Sequence, residues 1–225
     1  MPAPSWTTIV FDLDGTIIDS VPEVRAALNR LLGTFGLRPI TEDETLACVG
    51  RGARKTIENA IALTGADARS IDIADAEESY LTHYTEARGA NTIIYPGVVE
   101  VLEGLRAADV SMGICSNKPA STTATTLTDL GLARYFDAVV CPEDTPHCKP
   151  DGRHILSTLE RMERSPQHAC MVGDSETDAD AALSARIPFI AVSYGYRHRP
   201  LDTFGAAAVI DSFDKLPEAL AEISP

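Results

Sequence analysis

No apolar run in the chain approaches the ~18 residues that suggest a membrane-spanning helix, so no membrane span is expected. The opening residues, MPAPSW, lack both a charged n-region and an apolar h-region, and no secretory signal is read there. Positive charge is scarce: 19 Lys and Arg stand against 33 Asp and Glu, a formal net charge of −14. That balance argues against a nucleic-acid partner. It leaves room for a small anion, because a metal or a few local cations can set the field of one pocket. The five cysteines are an odd number, which rules out a fully paired disulfide framework. Cys115, Cys141 and Cys170 sit in apolar, strand-like runs where a thiol behaves as a small hydrophobe, a usage that fits a reducing cytoplasm. Repeats and low-complexity segments are missing too. What remains is a chain of 225 residues, 44% hydrophobic and 23% charged, long enough for one large or two modest domains. A cytoplasmic monomer or homodimer is expected.

The organising stretch is Thr7–Ser20, TTIVFDLDGTIIDS. A β-rich run, Thr7 to Phe11, leads into Asp12 and Asp14, which alternation along an extended chain points the same way. Beyond Ser20 the period becomes helical. Val24, Leu28, Leu31, Leu32 and Phe35 recur on one face, Pro22 suits a first turn and Gly36 a stop. Helical segments are also predicted over 41–49, 53–63 and 71–87, and no strand is read between Pro22 and Gly89. From Tyr95-Pro96-Gly97 onward helices and strands alternate. Strands are predicted over 110–116, 137–141, 169–173, 188–193 and, more weakly, 207–210; helices over 98–107, 120–130, 152–162, 176–185 and 215–223. Strands this apolar are buried on both faces. The expectation is an α/β fold, a Rossmann-like parallel sheet flanked by helices, formed by residues 1–19 and 90–225, with an all-helical block, 20–89, inserted after the first strand.

In such sheets ligands bind beyond the carboxyl ends of the strands. The polar residues there are Asp12 and Asp14; Ser116, Asn117 and Lys118; Glu143 and Asp144 with Lys149 beyond; and Asp174 with Asp178. Two close carboxylates resist joint ionisation, which suits a nucleophile paired with a general acid/base. The bland alternative, a hairpin turn at Asp14-Gly15, lacks a following strand. Asp174 and Asp178, one helical turn apart in GDSETDAD, offer hard oxygen ligands for Mg²⁺, and the same residues read equally as a helix N-cap with acids in the first turn. Ser116, Asn117, Lys118 and Lys149 supply a hydroxyl, N–H groups and ammonium ions for a phosphate, or else an ordinary N-cap and a solvated lysine. Arg51, Arg54 and Lys55 crowd a helix start, where cations are unfavourable. Either a compensating anion or a solvated face explains them. Cys141, His147 and Cys148 lack a fourth metal ligand. The loop Tyr194–Arg199 reads as a surface loop that could line a pocket mouth.

FDLDGTIIDS, CSNK, the CKP around Lys149 and GDSETD, in that order, resemble the four signature motifs of the haloacid dehalogenase superfamily of phosphatases. The helical insert resembles that family's cap domain. YPGVVEVLEGL and VSYGY…FGAAAVIDSFDKLPEAL are similar to its phosphoglycolate phosphatase branch. The resemblance implies Asp12 as nucleophile and Asp14 as acid/base. Ser116 and Lys149 would hold the transferring phosphoryl group, and Asp174 would bind Mg²⁺ with Asp12 and the Asp14 carbonyl. Gly15, Thr16, Asn117 and Lys118 are expected near the substrate, Asp178 near the metal. Arg51 or Lys55 would be presented to a substrate carboxylate when the cap closes. Asp14 points away from the family's dehalogenases, and the lack of histidine in Val21–Val24 points away from its mutases. The expected substrate is a small phosphorylated metabolite, 2-phosphoglycolate first. Pyrophosphate hydrolysis, a sugar phosphatase, a β-phosphoglucomutase-like reaction and a phospho-acceptor binding module stay open.

Overall fold

The computed structural model describes residues 6–87 and 91–223; the expected division at 89/90 and the first five residues lie outside them. From the amino end run β1 (Thr8–Phe11), β2 (Ile18–Asp19) and four helices, α1 (Val21–Thr34), α2 (Glu42–Leu46), α3 (Ala53–Leu63) and α4 (Ile73–Ala87). Then come β3 (Ile93–Ile94), α5 (Val98–Ala107), β4 (Ser111–Cys115), α6 (Ala120–Asp129) and β5 (Ala138–Val140). The chain ends with α7 (Gly152–Arg161), β6 (Ala169–Gly173), α8 (Glu176–Ala185), β7 (Phe189–Val192), β8 (Ala208–Ile210) and α9 (Leu216–Glu222). Six strands form one parallel sheet in the order β5-β4-β1-β6-β7-β8. This is the α/β core expected from the alternating pattern.

Period-two alternation distributes side chains between two buried layers. Ile9, Phe11, Val172, Ile190 and Val192 pack on one face, with Leu102 of α5 and Leu216 and Leu220 of α9. Val10, Met171, Phe189 and Ala191 pack on the other, with Ile155 and Leu159 of α7 and Ala181 and Ala182 of α8. Burial on both sides explains why these strands read as unbroken apolar runs. β1 lies inside the sheet, between β4 and β6, so its carboxyl end opens at the middle of the sheet edge.

The helices α1–α4 enclose an apolar cluster of their own: Leu28, Leu31 and Leu32 of α1, Ile57 and Ile61 of α3, Tyr80 and Tyr84 of α4. Pro22 sits in the first turn of α1, and Thr41 with Glu44 makes a reciprocal capping box on α2. Two short strands were not foreseen. β2 and β3 pair antiparallel, Ile18 with Ile94 and Asp19 with Ile93, tying together the segments that leave and re-enter the sheet domain. Two residues are too few for a periodic signal, and the partner lies far along the chain. Among the described residues no helix is long and apolar enough to cross a membrane.

Candidate active site

β1 delivers Asp12 to the sheet edge, where its N–H donates to the Val172 carbonyl at 2.9 Å. Its Oδ1 lies 2.7 Å from Lys149 Nζ, which also donates to Asp178 Oδ1 at 2.7 Å. Asp174 follows the last residue of β6, and Asp178 occupies the first turn of α8. One oxygen each from Asp12, Asp174 and Asp178 lies within 4.8 Å of the others. Asp178 forms the cap its sequence allowed: Oδ2 accepts from the Ser175 N–H at 3.0 Å and hydroxyl at 2.7 Å, as in a capping box, while Oδ1 faces Lys149.

Three buried carboxylates around one ammonium leave two negative charges uncompensated, and the titration behaviour follows. Burial, then Asp178 and Asp14, push Asp12 up to about 7 against the pull of Lys149. Burial, then Asp178 and Asp12, hold Asp174 well above the usual carboxylate range. At Lys149 burial disfavours the charge, but Asp12 and Asp178 outweigh it and keep the ammonium protonated. A set of hard oxygen donors with surplus negative charge and little room fits a divalent cation of the Mg²⁺ type.

The Asp14 carboxylate is engaged elsewhere. It accepts from Lys118 Nζ at 3.0 and 3.2 Å and from the Ser20 hydroxyl at 2.6 Å. The two acids of the opening motif therefore share an edge but not an environment. Ser116 is buried, and its Oγ accepts from the Lys118 N–H at 3.2 Å.

Several residues expected near the substrate hold other parts of the site in place. The Thr16 hydroxyl donates to Asp174 Oδ1 at 3.1 Å, and neither Gly15 nor Thr16 lines the cavity described below. Gly15 has φ +87°, and a Cβ there would overlap the Asp174 carboxylate; Gly195 approaches the same carboxylate from the opposite loop. Asn117 clamps the main chain of Lys149, its Nδ2 donating to the carbonyl at 2.9 Å and its Oδ1 accepting from the N–H at 3.0 Å. Glu143 accepts from Ala120 N–H at the start of α6, and Asp144 accepts from Cys141 N–H and Arg161. Both are thus removed from the cluster of strand-end acids.

A cavity of about 90 Å³ separates the sheet edge from the helices. Asp12, Asp14, Ser116, Asn117, Lys118 and Lys149 line one side; Thr56, Tyr80 and Tyr84 line the other. Arg51 and Lys55 do not reach it. Arg51 is exposed, and Lys55 pairs with Glu58 at 3.1 Å on the solvent side of α3, where Arg54 also faces Glu58 at 3.8 Å. The solvated-face reading of this cluster is the one the geometry matches. Cys141 is buried and Cys148 exposed, while His147 faces Asp151, so these three do not gather.

Three residues escaped the sequence reading. Tyr196 belongs to the loop read as surface, yet it is buried in the helical cluster. Its N–H donates to Asp174, and its hydroxyl donates to Asp19 at 2.6 Å while accepting from Ser20 N–H at 2.9 Å. Tyr84 of α4 accepts from Lys118 at 2.7 Å. His154 is fully buried and its Nδ1 accepts from the Lys149 N–H at 3.2 Å; burial, then Lys149, lower its pKa to about 4. Only the aromatic tally of GYRHRP and the helical phase of Tyr80 and Tyr84 hinted at any of them. In the same loop His198 Nε2 lies 2.9 Å from the Val49 carbonyl of the helical block.

The family model described as haloacid dehalogenase-like hydrolase matches residues 9–192. A phosphoglycolate phosphatase of Agrobacterium fabrum is 38% identical over 213 residues, covering 95% of this chain and 91% of its own. One of Caulobacter vibrioides is 36% identical, covering 94% and 90%. Among solved structures, a predicted phosphoglycolate phosphatase from Haemophilus somnus superposes with a TM-score of 0.85 at 24% identity, over 95% of this chain and 97% of that one. A β-phosphoglucomutase from Clostridium difficile gives 0.79 at 20% identity, over 96% and 98%. At those identities the two structures share the fold.

Proposed function

The chain belongs to the haloacid dehalogenase-like hydrolase family, and from that premise we propose that it is a Mg²⁺-dependent phosphatase converting 2-phosphoglycolate to glycolate and inorganic phosphate. The observation that carries the chemistry is the divergence of its two motif acids. Asp12 sits with Lys149 among buried carboxylates, and Asp14 faces the same cavity from a separate setting beside Lys118 and Ser20. Carboxylates so separated in environment suit separate roles. The substrate follows the names of the relatives, which span nearly the whole chain. A cavity of about 90 Å³ between the sheet edge and the helices suits a small substrate.

In this reading an oxygen of Asp12 attacks phosphorus in line, forming an aspartyl-phosphate as the ester P–O bond breaks. Asp14 gives its proton to the departing alkoxide, then takes one from the water that attacks phosphorus and releases Asp12 and phosphate. Lys149 and Ser116 hold the phosphoryl oxygens. Asp12 and Asp174, with Asp178 beside them, would hold Mg²⁺, which would supply charge neutralisation between carboxylate and phosphate. Asn117 and His154 fix the main chain of Lys149. The helical block 20–89 acts as a cap over the cavity, with Tyr196 joining it to Asp174. All five cysteines are free, which supports a reducing, cytoplasmic setting.

The test is phosphate release from a panel of phosphorylated metabolites, with Mg²⁺ and with chelator. The expected pattern is highest kcat/KM on 2-phosphoglycolate, loss of activity on chelation, and a fall of ~10³-fold or more for Asp12→Asn. A silent panel in Mg²⁺, or full activity in Asp12→Asn, overturns the reading.

A further inference from the structure

Lys118 is the cation that the reaction scheme leaves over. Among the described residues the cavity lining contains two cations, Lys149 and Lys118. Lys149 is occupied by Asp12 and Asp178, at 2.7 Å each. Lys118 is only 8% exposed and is fixed from two sides, by Asp14 and by Tyr84 of the helical block. An ammonium carries three N–H donors. One serves Asp14, shared between its two oxygens, and one serves Tyr84; the third meets no acceptor among the described residues. Tyr84 uses its oxygen as the acceptor of that contact, so its own O–H also lacks an acceptor there.

Two unused donors therefore stand on atoms 2.7 Å apart at the cavity wall. A carboxylate has two oxygens that can accept them together. It needs a cation, because an ionised group taken out of water unpaired is strongly disfavoured. Among the described residues the helical block places none on the cavity lining: Arg51 and Lys55 face solvent, and the lining residues it supplies are apolar or neutral. Sharing one ammonium between two carboxylates is a device this site already uses at Lys149.

Resting on the phosphoglycolate reading above, we propose that Lys118, set in place by Tyr84, binds the substrate carboxylate and selects phosphomonoesters with an acidic remainder over neutral ones of the same shape. Selectivity then resides in the sheet domain, and the helical block contributes the hydroxyl that aims the lysine. A substrate with a neutral remainder would leave both donors unpaired in the closed cavity, so the discrimination works against the wrong substrate as well as for the right one.

The experiment compares 2-phosphoglycolate with its neutral isostere 2-phosphoglycolamide in the full-length enzyme with Mg²⁺. Lys118 also touches Asp14, so rates on both esters fall in Lys118→Met; the informative quantity is their ratio. Removing a charge-assisted pair is expected to cut the preference for the acid by ~10–100-fold. Tyr84→Phe, which keeps the ring and its packing, is expected to cut it by ~3–10-fold, mainly through KM. Should Lys118→Met turn over neither ester, calorimetric binding of the two esters in an Asp12→Asn background gives the same ratio. Should it not fold, Tyr84→Phe alone decides. Equal losses on acid and amide in both variants would overturn the proposal and leave Lys118 as a positioning residue for Asp14. A wild-type enzyme with no preference for the acid would instead sink the phosphoglycolate reading itself.

Discussion

Neutralising Asp12 should abolish activity and, without metal, stabilise the fold. Burial and its neighbours raise the Asp12 carboxyl from 3.8 to about 7. A folded-state pKa above the unfolded value means that the unfolded chain gives up its proton first, so stability falls as pH rises between the two. The gap is worth ~4 kcal/mol when fully expressed, at pH 8, and under ~2 kcal/mol at pH 5. Asp12→Asn removes this titration. It also removes the contact with Lys149, whose change with pH is already contained in the raised pKa of Asp12. The difference in stability between variant and wild type should therefore move in favour of the variant by on the order of 2–3 kcal/mol from pH 5 to pH 8. Asp174, raised partly by Asp12, is relieved in the variant and adds to the effect with the same sign. For a chain of this length ~1 kcal/mol corresponds to about 2 °C, so the melting-point difference should shift by roughly 5 °C. The assay is thermal unfolding of both proteins in EDTA across that range, repeated in excess Mg²⁺. There the wild type should gain more, because it keeps one more charged ligand. A melting-point difference independent of pH in EDTA, or one drifting toward the wild type as pH rises, would refute the electrostatic account of the site.

Three further outcomes are expected. Gly15→Ala forces a side chain onto φ +87° and against Asp174; it should weaken Mg²⁺ binding by ~10–100-fold, read by calorimetry, and unchanged affinity would show that Asp174 does not depend on that close approach. The double variant Arg51→Ala, Lys55→Ala should keep kcat/KM within ~2-fold, since exposed ion pairs contribute little; a tenfold loss would bring these cations back to the substrate. Tyr196→Phe leaves the Ser20 N–H without its partner, at a cost of ~1–3 kcal/mol. Hydrogen exchange should quicken at 18–24 and 91–95, and exchange unaltered there would remove Tyr196 from the junction.

The sheet was legible because its strands are buried on both faces and announce themselves as apolar runs separated by helical periods. The strand-end rule then gathered Asp12, Asp14, Lys149, Asp174 and Asp178 before any coordinates. What stayed hidden depends on which way a side chain turns. Arg51 and Lys55 sit within a few residues of cavity-lining Gly52 and Thr56, but on a helix one or two positions decide between cavity and solvent. Gly15 and Thr16 follow the key acids in the sequence and yet serve Asp174 across the fold, a contact spanning 158 positions at Thr16. Tyr196 and His154 act through isolated hydrogen bonds to residues far along the chain or to main-chain atoms, which leave no periodic trace. The β2–β3 ribbon is two residues deep on each side, below the length at which alternation can be read.

β1 lies inside the sheet and is also the first of its six strands to be made. Thr8 pairs with Ser111 on one side and Ala169 on the other. At ~5–20 residues per second, the first neighbour emerges roughly 5–20 s later and the second roughly 8–30 s later. Throughout that wait α1–α4 can close on their own apolar cluster. The strand bearing Asp12 gains its first neighbour with β4 and its second only with β6. The helices between β1 and β4 are thus made while the strand they follow still lacks both of its neighbours.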